Sequence, residues 1–223
     1  MSGSEGCFDR GLKLALAAIL HAASWVGAGE APPVVVDLDT SEVPELAAWA
    51  EKAKTLLIEW HPRYENLLSS KGFAPSRRIA LKIRKTDEGV AATGGGRIVV
   101  SSHWIEKHPE DIGLVAHELV HVIQAYPSGD PGWVTEGIAD YLRWAIFDGK
   151  PQRWFPKAKE ADGWKQGYRV TGGFFLWLET DLAPGIVRRL NVAMRHKAYT
   201  DEIFKDATGK TLPELWKLYQ ESK

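Results

Sequence analysis

Before about residue 110 several short apolar stretches are β-branched or alternate with polar residues. After Asp111 apolar positions recur every three to four residues. Val34 to Leu38, following Pro32-Pro33, is a β-branched run that predicts a short first strand. Between Arg78 and Lys85, Ile79, Leu81 and Ile83 alternate with Arg78, Lys82 and Arg84, the pattern of a half-buried strand. Gly94-Gly95-Gly96 predicts a turn, and Ile98, Val99 and Val100 place the next strand over Arg97 to Ser102. One early segment has helical spacing instead: Leu46, Trp49, Ala50, Ala53, Leu56 and Leu57, with Ser41 as N-cap and Glu42 and Glu45 in the first turn. Pro62 is expected to interrupt or kink that helix.

The later pattern predicts a helix over Ile112 to Ala125, stopping before the Pro127–Gly132 loop, and a second over Val134 to Phe147, ending at Gly149. Further helices are expected near Trp164 to Leu182, Pro184 to His196 and Leu212 to Glu221. Strands first and helices later predict an α+β fold.

Composition adds limits. The 223 residues suit one domain or one domain with two lobes, and 44% apolar with 26% charged content is ordinary for a globular chain with a core. A net charge of -1 gives no field that would draw nucleic acid or an anionic membrane. The ten Trp residues are read chiefly as packing, with a cleft lining as the other use. At the N-terminus, Arg10 and Lys13 precede an apolar run from Leu14 to Val26, followed by Gly27, Ala28, Gly29 and Ala31. That order is the layout of a secretory signal over residues 1–31, with a secreted, periplasmic or envelope location. The run is too short for a comfortable membrane span, so no stable membrane association is expected once it is removed. Its removal would take Cys7, the single cysteine, and leave a net charge of about zero.

The chemistry concentrates in Leu114-Val115-Ala116-His117-Glu118-Leu119-Val120-His121-Val122-Ile123. Helical residues four apart lie about 40° apart around the axis and about 6 Å along it. His117 and His121 therefore face one way and can hold one Zn²⁺, with Glu118 beside it to take a proton from water and pass it to a leaving amine. The surrounding residues are apolar, and two imidazoles with a carboxylate are costly there unless paired or coordinated. A zinc site needs a third protein ligand. Gln124 and Pro127 stand where one class of sites would need Gly and His, which excludes that class. Trp133-Val134-Thr135-Glu136-Gly137-Ile138-Ala139-Asp140-Tyr141 offers two carboxylates on one helical face. Glu136 is assigned as the third ligand and Asp140 as acceptor for a His N–H, with the exchanged roles as the alternative.

His117 to Gln124, Thr135 to Tyr141, Gln166 to Thr171, Met194-Arg195 and Thr208 to Trp216 together resemble the basic secretory protein family of plant and bacterial peptidases, zincins of the gluzincin type. The similarity runs from about Arg97 to the end and more loosely before. It implies a zincin-like fold in a single domain over residues 32–223. A strand-rich lobe of about residues 32–126, carrying the motif helix, would face a helical lobe of about 127–223 across a cleft. The near-neutral composition departs from the family's name, and the stretch from His121 to Glu136 is shorter than in thermolysin-like enzymes.

The function expected is zinc-dependent hydrolysis of polypeptides, by an endopeptidase rather than an exopeptidase. A zinc-stabilised extracellular binding module, or a zinc amidase acting on a peptidoglycan or other non-protein amide, are the alternatives. Tyr168, in the matching Gln-Gly-Tyr segment, is the first candidate to stabilise the oxyanion, against a packing role in the lower lobe. Tyr141 and Tyr126 are weaker candidates. The strand Arg97 to Ser101 is expected to offer its edge to an extended substrate. His61, His103, His108 and His196 have no ligand spacing and read as surface or structural.

Overall fold

The computed structural model describes residues 31–222. The expected signal segment lies outside them, apart from Ala31. Four strands form one sheet in the order β1-β2-β4-β3: β1 (Val35–Asp39), β2 (Arg78–Arg84), β3 (Ala91–Gly94) and β4 (Arg97–Ser101). β1 pairs parallel with β2 and β2 parallel with β4, while β3 turns back antiparallel on β4 through Gly95 and Gly96, both at positive φ. β2 is central, and its alternation places Ile79, Leu81 and Ile83 fully inside.

α1 (Ala47–Leu67) and α3 (Gly113–Gln124) pack on each other and on the sheet. α2 (Ser102–Lys107), which the sequence pattern did not suggest, leads directly off β4 and is capped by the Ser101 hydroxyl. Ser41 is not an N-cap: its amide and hydroxyl bind Asp39 Oδ1 at 3.0 and 2.6 Å in a turn, and the helix begins after a 3₁₀ turn at Pro44–Leu46. Pro62 lies inside α1 without ending it. The carbonyl deprived of its bond belongs to exposed Ile58, where solvent can satisfy it.

The rest is helical: α4 (Gly132–Asp140), running on as π-helix over Tyr141–Phe147; α5 (Tyr168–Trp177), running on as π-helix over Leu178–Leu182; α6 (Ile186–Arg195); α7 (Glu202–Thr208); and α8 (Leu212–Glu221). The segment expected to be helical from Trp164 is broken at Gly167, whose φ of 71° separates a 3₁₀ turn from α5. α4 and α5 pack through glycine: a Cβ on Gly137 would sit 2.3 Å from Thr171 Cγ2. Trp49, Trp164, Trp177 and Trp216 are buried, whereas Trp104 and Trp144 are half-buried at a cleft. No helix of the described residues is long and apolar enough to cross a membrane.

The end of α3 is held by a buried cation. Ala125 closes the helix in the left-handed conformation, and Arg195 Nη2 donates to the carbonyls of Ile123 at 2.9 Å and Gln124 at 3.4 Å. A positive group there complements the helix dipole and satisfies carbonyls that have no partner within the helix.

Candidate metal centre

α3 and α4 meet so that one turn of each faces the other across a cleft of about 1180 Å³. His117 and His121 come from α3, Glu136 from α4, and their ligand atoms all lie within 4.8 Å of one another. His117 Nε2 is 3.1 Å from His121 Nε2 and 3.2 Å from Glu136 Oε2; His121 Nε2 is 3.5 Å from the same oxygen. This is the only such cluster among the described residues.

The far nitrogens of both rings are engaged. His117 Nδ1 is 2.7 Å from Asp140 Oδ1, and His121 Nδ1 is 2.7 Å from Gln124 Oε1. Gln124 is held in that sense by its own amide, which donates to Thr135 O at 3.0 Å. With Nδ1–H donated to oxygen on each ring, each neutral imidazole presents a lone pair at Nε2. Two lone pairs and a carboxylate oxygen at such spacing require a cation among them, either a proton or a metal. A tetrahedral ion with bonds of about 2.0–2.1 Å separates its ligands by about 3.3 Å, so the donor set fits zinc.

Electrostatics agree with that description. Burial disfavours a charged His117, but its bonds to Asp140 and Glu136 outweigh burial and raise its pKa to about 9. Burial pushes Glu136 up, yet the two imidazoles pull its pKa down to about 2.

Asp140 is buried behind His117 and reaches its Nδ1, while Glu136 reaches both Nε2 atoms. Glu118 is buried in the cleft wall, and Thr93 Oγ1 donates to its Oε2 at 2.7 Å. Tyr168 opens α5 at a φ of 46°, and its exposed ring lies nearly parallel to that of His117, at 6.3 Å and 13°. The charge of Glu136, with some burial, raises its phenol above the ordinary range, so it stays a protonated donor near neutral pH.

Tyr126 donates instead to Asn191 Oδ1 at 3.0 Å, and Tyr141 packs against the core. His61 is fully buried and bonded to Ser76 O; His103, His108 and His196 join no ligand cluster.

The sheet edge requires a correction. β4 is paired on both sides, by β2 and β3, and cannot take a further strand. β3 is the edge strand on this side of the sheet, and Val90 to Gly96 line the cleft. Its small residues, Ala91-Ala92-Thr93-Gly94, show no alternation, so the strand and its Thr93 left no mark in the pattern. Gln124 had a signal, since it stands three residues after His121 on the same helical face.

Comparison with curated proteins and with solved structures found no match. A family model did match: that described as BSP, "Peptidase of plants and bacteria", over residues 44–219. The match runs from the 3₁₀ turn before α1 into α8 and takes in both helices of the His–Glu cluster. With that much of the chain matched, the protein belongs to the BSP family of peptidases of plants and bacteria.

Proposed function

We propose that this peptidase is zinc-dependent and that His117, His121 and Glu136 hold the metal. The observation that carries the reading is the triangle of two Nε2 atoms and Glu136 Oε2 with sides of 3.1, 3.2 and 3.5 Å, both Nδ1 atoms being committed elsewhere. Bound there, zinc would act as a Lewis acid on the scissile carbonyl and on the attacking water.

The chain's own residues do the rest. Asp140 and Gln124 hold the imidazole rings in the tautomer that leaves Nε2 free. Glu118 takes the proton of the attacking water and delivers it to the amine nitrogen as the peptide bond breaks. Thr93 orients that carboxylate through its hydroxyl. The Tyr168 phenol donates a hydrogen bond to the oxygen that gains charge in the transition state. β3 offers its free edge to an extended peptide. Because the cleft continues past the site both toward Ser76 and toward Trp104, a chain can lie through it, which favours endopeptidase action. The basic, apolar and small segments of residues 1–31 support export. Fractionation with N-terminal sequencing would test that, and protein confined to the cytoplasm with an intact Met1 would refute it.

The deciding experiment measures metal content and peptide hydrolysis for residues 32–223 and for its Glu118→Ala variant. About one zinc per chain in both, with cleavage only in the unsubstituted protein, supports the reading. Zinc in both and no cleavage of any peptide pool would favour a binding module or a non-protein amide. No metal in either would sink it.

A further inference from the structure

The cleft wall beyond the N-terminal end of α3 has no part in that chemistry. Trp144 and, behind it, Trp154 pack against each other at a tilt, with centroids 4.7 Å apart and ring planes at 36°. The Arg143 guanidinium lies 3.9 Å over Trp144, and that of Arg169 lies 5.7 Å from Trp154. Arg143 is tied to Asp111 at 2.5 Å. Arg169 is exposed and makes no ion pair among the described residues. Asp111, Arg143, Trp144 and Arg169 all line the cleft. A guanidinium over an indole is drawn to that ring's π face, and its planar fork matches a carboxylate. Arg143 is already paired, through its Nη2, with Asp111. Arg169 offers the same fork to something else.

The polarity of the sheet edge says which part of a substrate meets it. β3 begins at this end, where Ser101 N bonds Val90 O and β4 passes directly into α2. It finishes toward Gly96, which lies against Ser76. A peptide pairing antiparallel with β3, the more stable sense, runs from Gly96 toward Val90. Its residues after the scissile bond then arrive at Arg169.

We propose that Arg169, set over the Trp154 ring, selects a carboxylate on the carboxyl side of the scissile bond. That carboxylate is either an acidic side chain or the substrate's own C-terminus. The inference rests on the peptidase reading above and deepens it.

The test uses zinc-loaded protein and one peptide carrying Glu, Gln or Lys one or two residues after the cleaved bond, with the C-terminus free or amidated. The expected result is a kcat/KM about tenfold higher for Glu than for Gln, or for the free than for the amidated terminus. Whichever pair shows it identifies the carboxylate. Arg169→Glu should turn the preference toward Lys, and Arg169→Lys should keep most of it. Equal rates throughout, a preference that survives Arg169→Glu, or a preference set on the amino side would overturn the proposal.

Affinities of the same peptides for zinc-loaded Glu118→Gln separate the two readings. Cleavage without any carboxylate preference removes the Arg169 proposal alone. Carboxylate binding that Arg169→Glu abolishes, with no cleavage by the unsubstituted protein, upholds Arg169 as a carboxylate site and removes the peptidase reading. Neither binding preference nor cleavage removes both.

Discussion

Asp140 Oδ1 lies 2.7 Å from His117 Nδ1, although 23 residues separate them in the chain. Asp140 is buried, and the ring it holds points its other nitrogen at Glu136. Two carboxylates one helical turn apart thus meet opposite sides of the same imidazole.

Asp140→Ala should leave the protein folded but lower its zinc affinity by about 10–100-fold, since the ring loses both tautomer and orientation. Competition with a chelator of known affinity measures this. An unchanged affinity would show that packing alone orients His117.

Thr93→Val removes the hydroxyl that binds Glu118 Oε2 while keeping the side chain's shape. Peptide hydrolysis should fall by about 10- to 100-fold, the worth of one hydrogen bond to a charged group, and zinc content should not change. A loss of zinc together with activity would place the effect on folding of β3 rather than on Glu118.

In metal-free protein, the cluster should give stability a pH window. His117 has its folded pKa raised to about 9 from 6.5, so its contribution is complete below pH 6.5 and lost as pH rises through 9. Glu136 is lowered to about 2 from 4.5, so its contribution is complete above pH 4.5 and lost as pH falls through 2. Melting temperatures in EDTA should therefore carry the pair's full contribution between these limits. Added zinc displaces the His117 proton, so it should raise Tm more near pH 9 than near pH 6. Equal increments at the two pH values would contradict this.

Gly137→Ala should destabilise the fold by about 1–3 kcal/mol, because the new methyl meets Thr171 with no room to relax. The closest atom is Thr171 Cγ2, at 2.3 Å from the added carbon. Thr171→Ser removes that methyl and keeps the hydroxyl that donates to Trp164 O. The double variant should recover part of the loss in urea unfolding; no recovery would mean that Thr171 Cβ at 2.8 Å and Phe175 at 3.0 Å, which remain, set the limit.

Elements that carry their own periodicity were legible along the chain. The turn bearing His117, Glu118 and His121 is one, because i and i+4 share a face wherever a helix forms. β2 and α8 are others, and α8 begins and ends where the pattern put it. β3 and α7 were not legible: β3 has no alternation and exists through its pairing with β4, and α7 is only seven residues long.

Residue types and local spacing were enough to place a helix with His117, Glu118 and His121 together and to supply a pair of carboxylates after it, because both follow from rise and rotation within one element. They could not say which carboxylate reaches Nε2, since Glu136 and Asp140 share a face and only the crossing of α4 on α3 tells them apart. The free sheet edge, the hydroxyl over Glu118 and the place of Tyr168 beside His117 likewise belong to the tertiary structure. Each depends on contacts between segments far apart in the chain, where close packing of many side chains decides which faces meet.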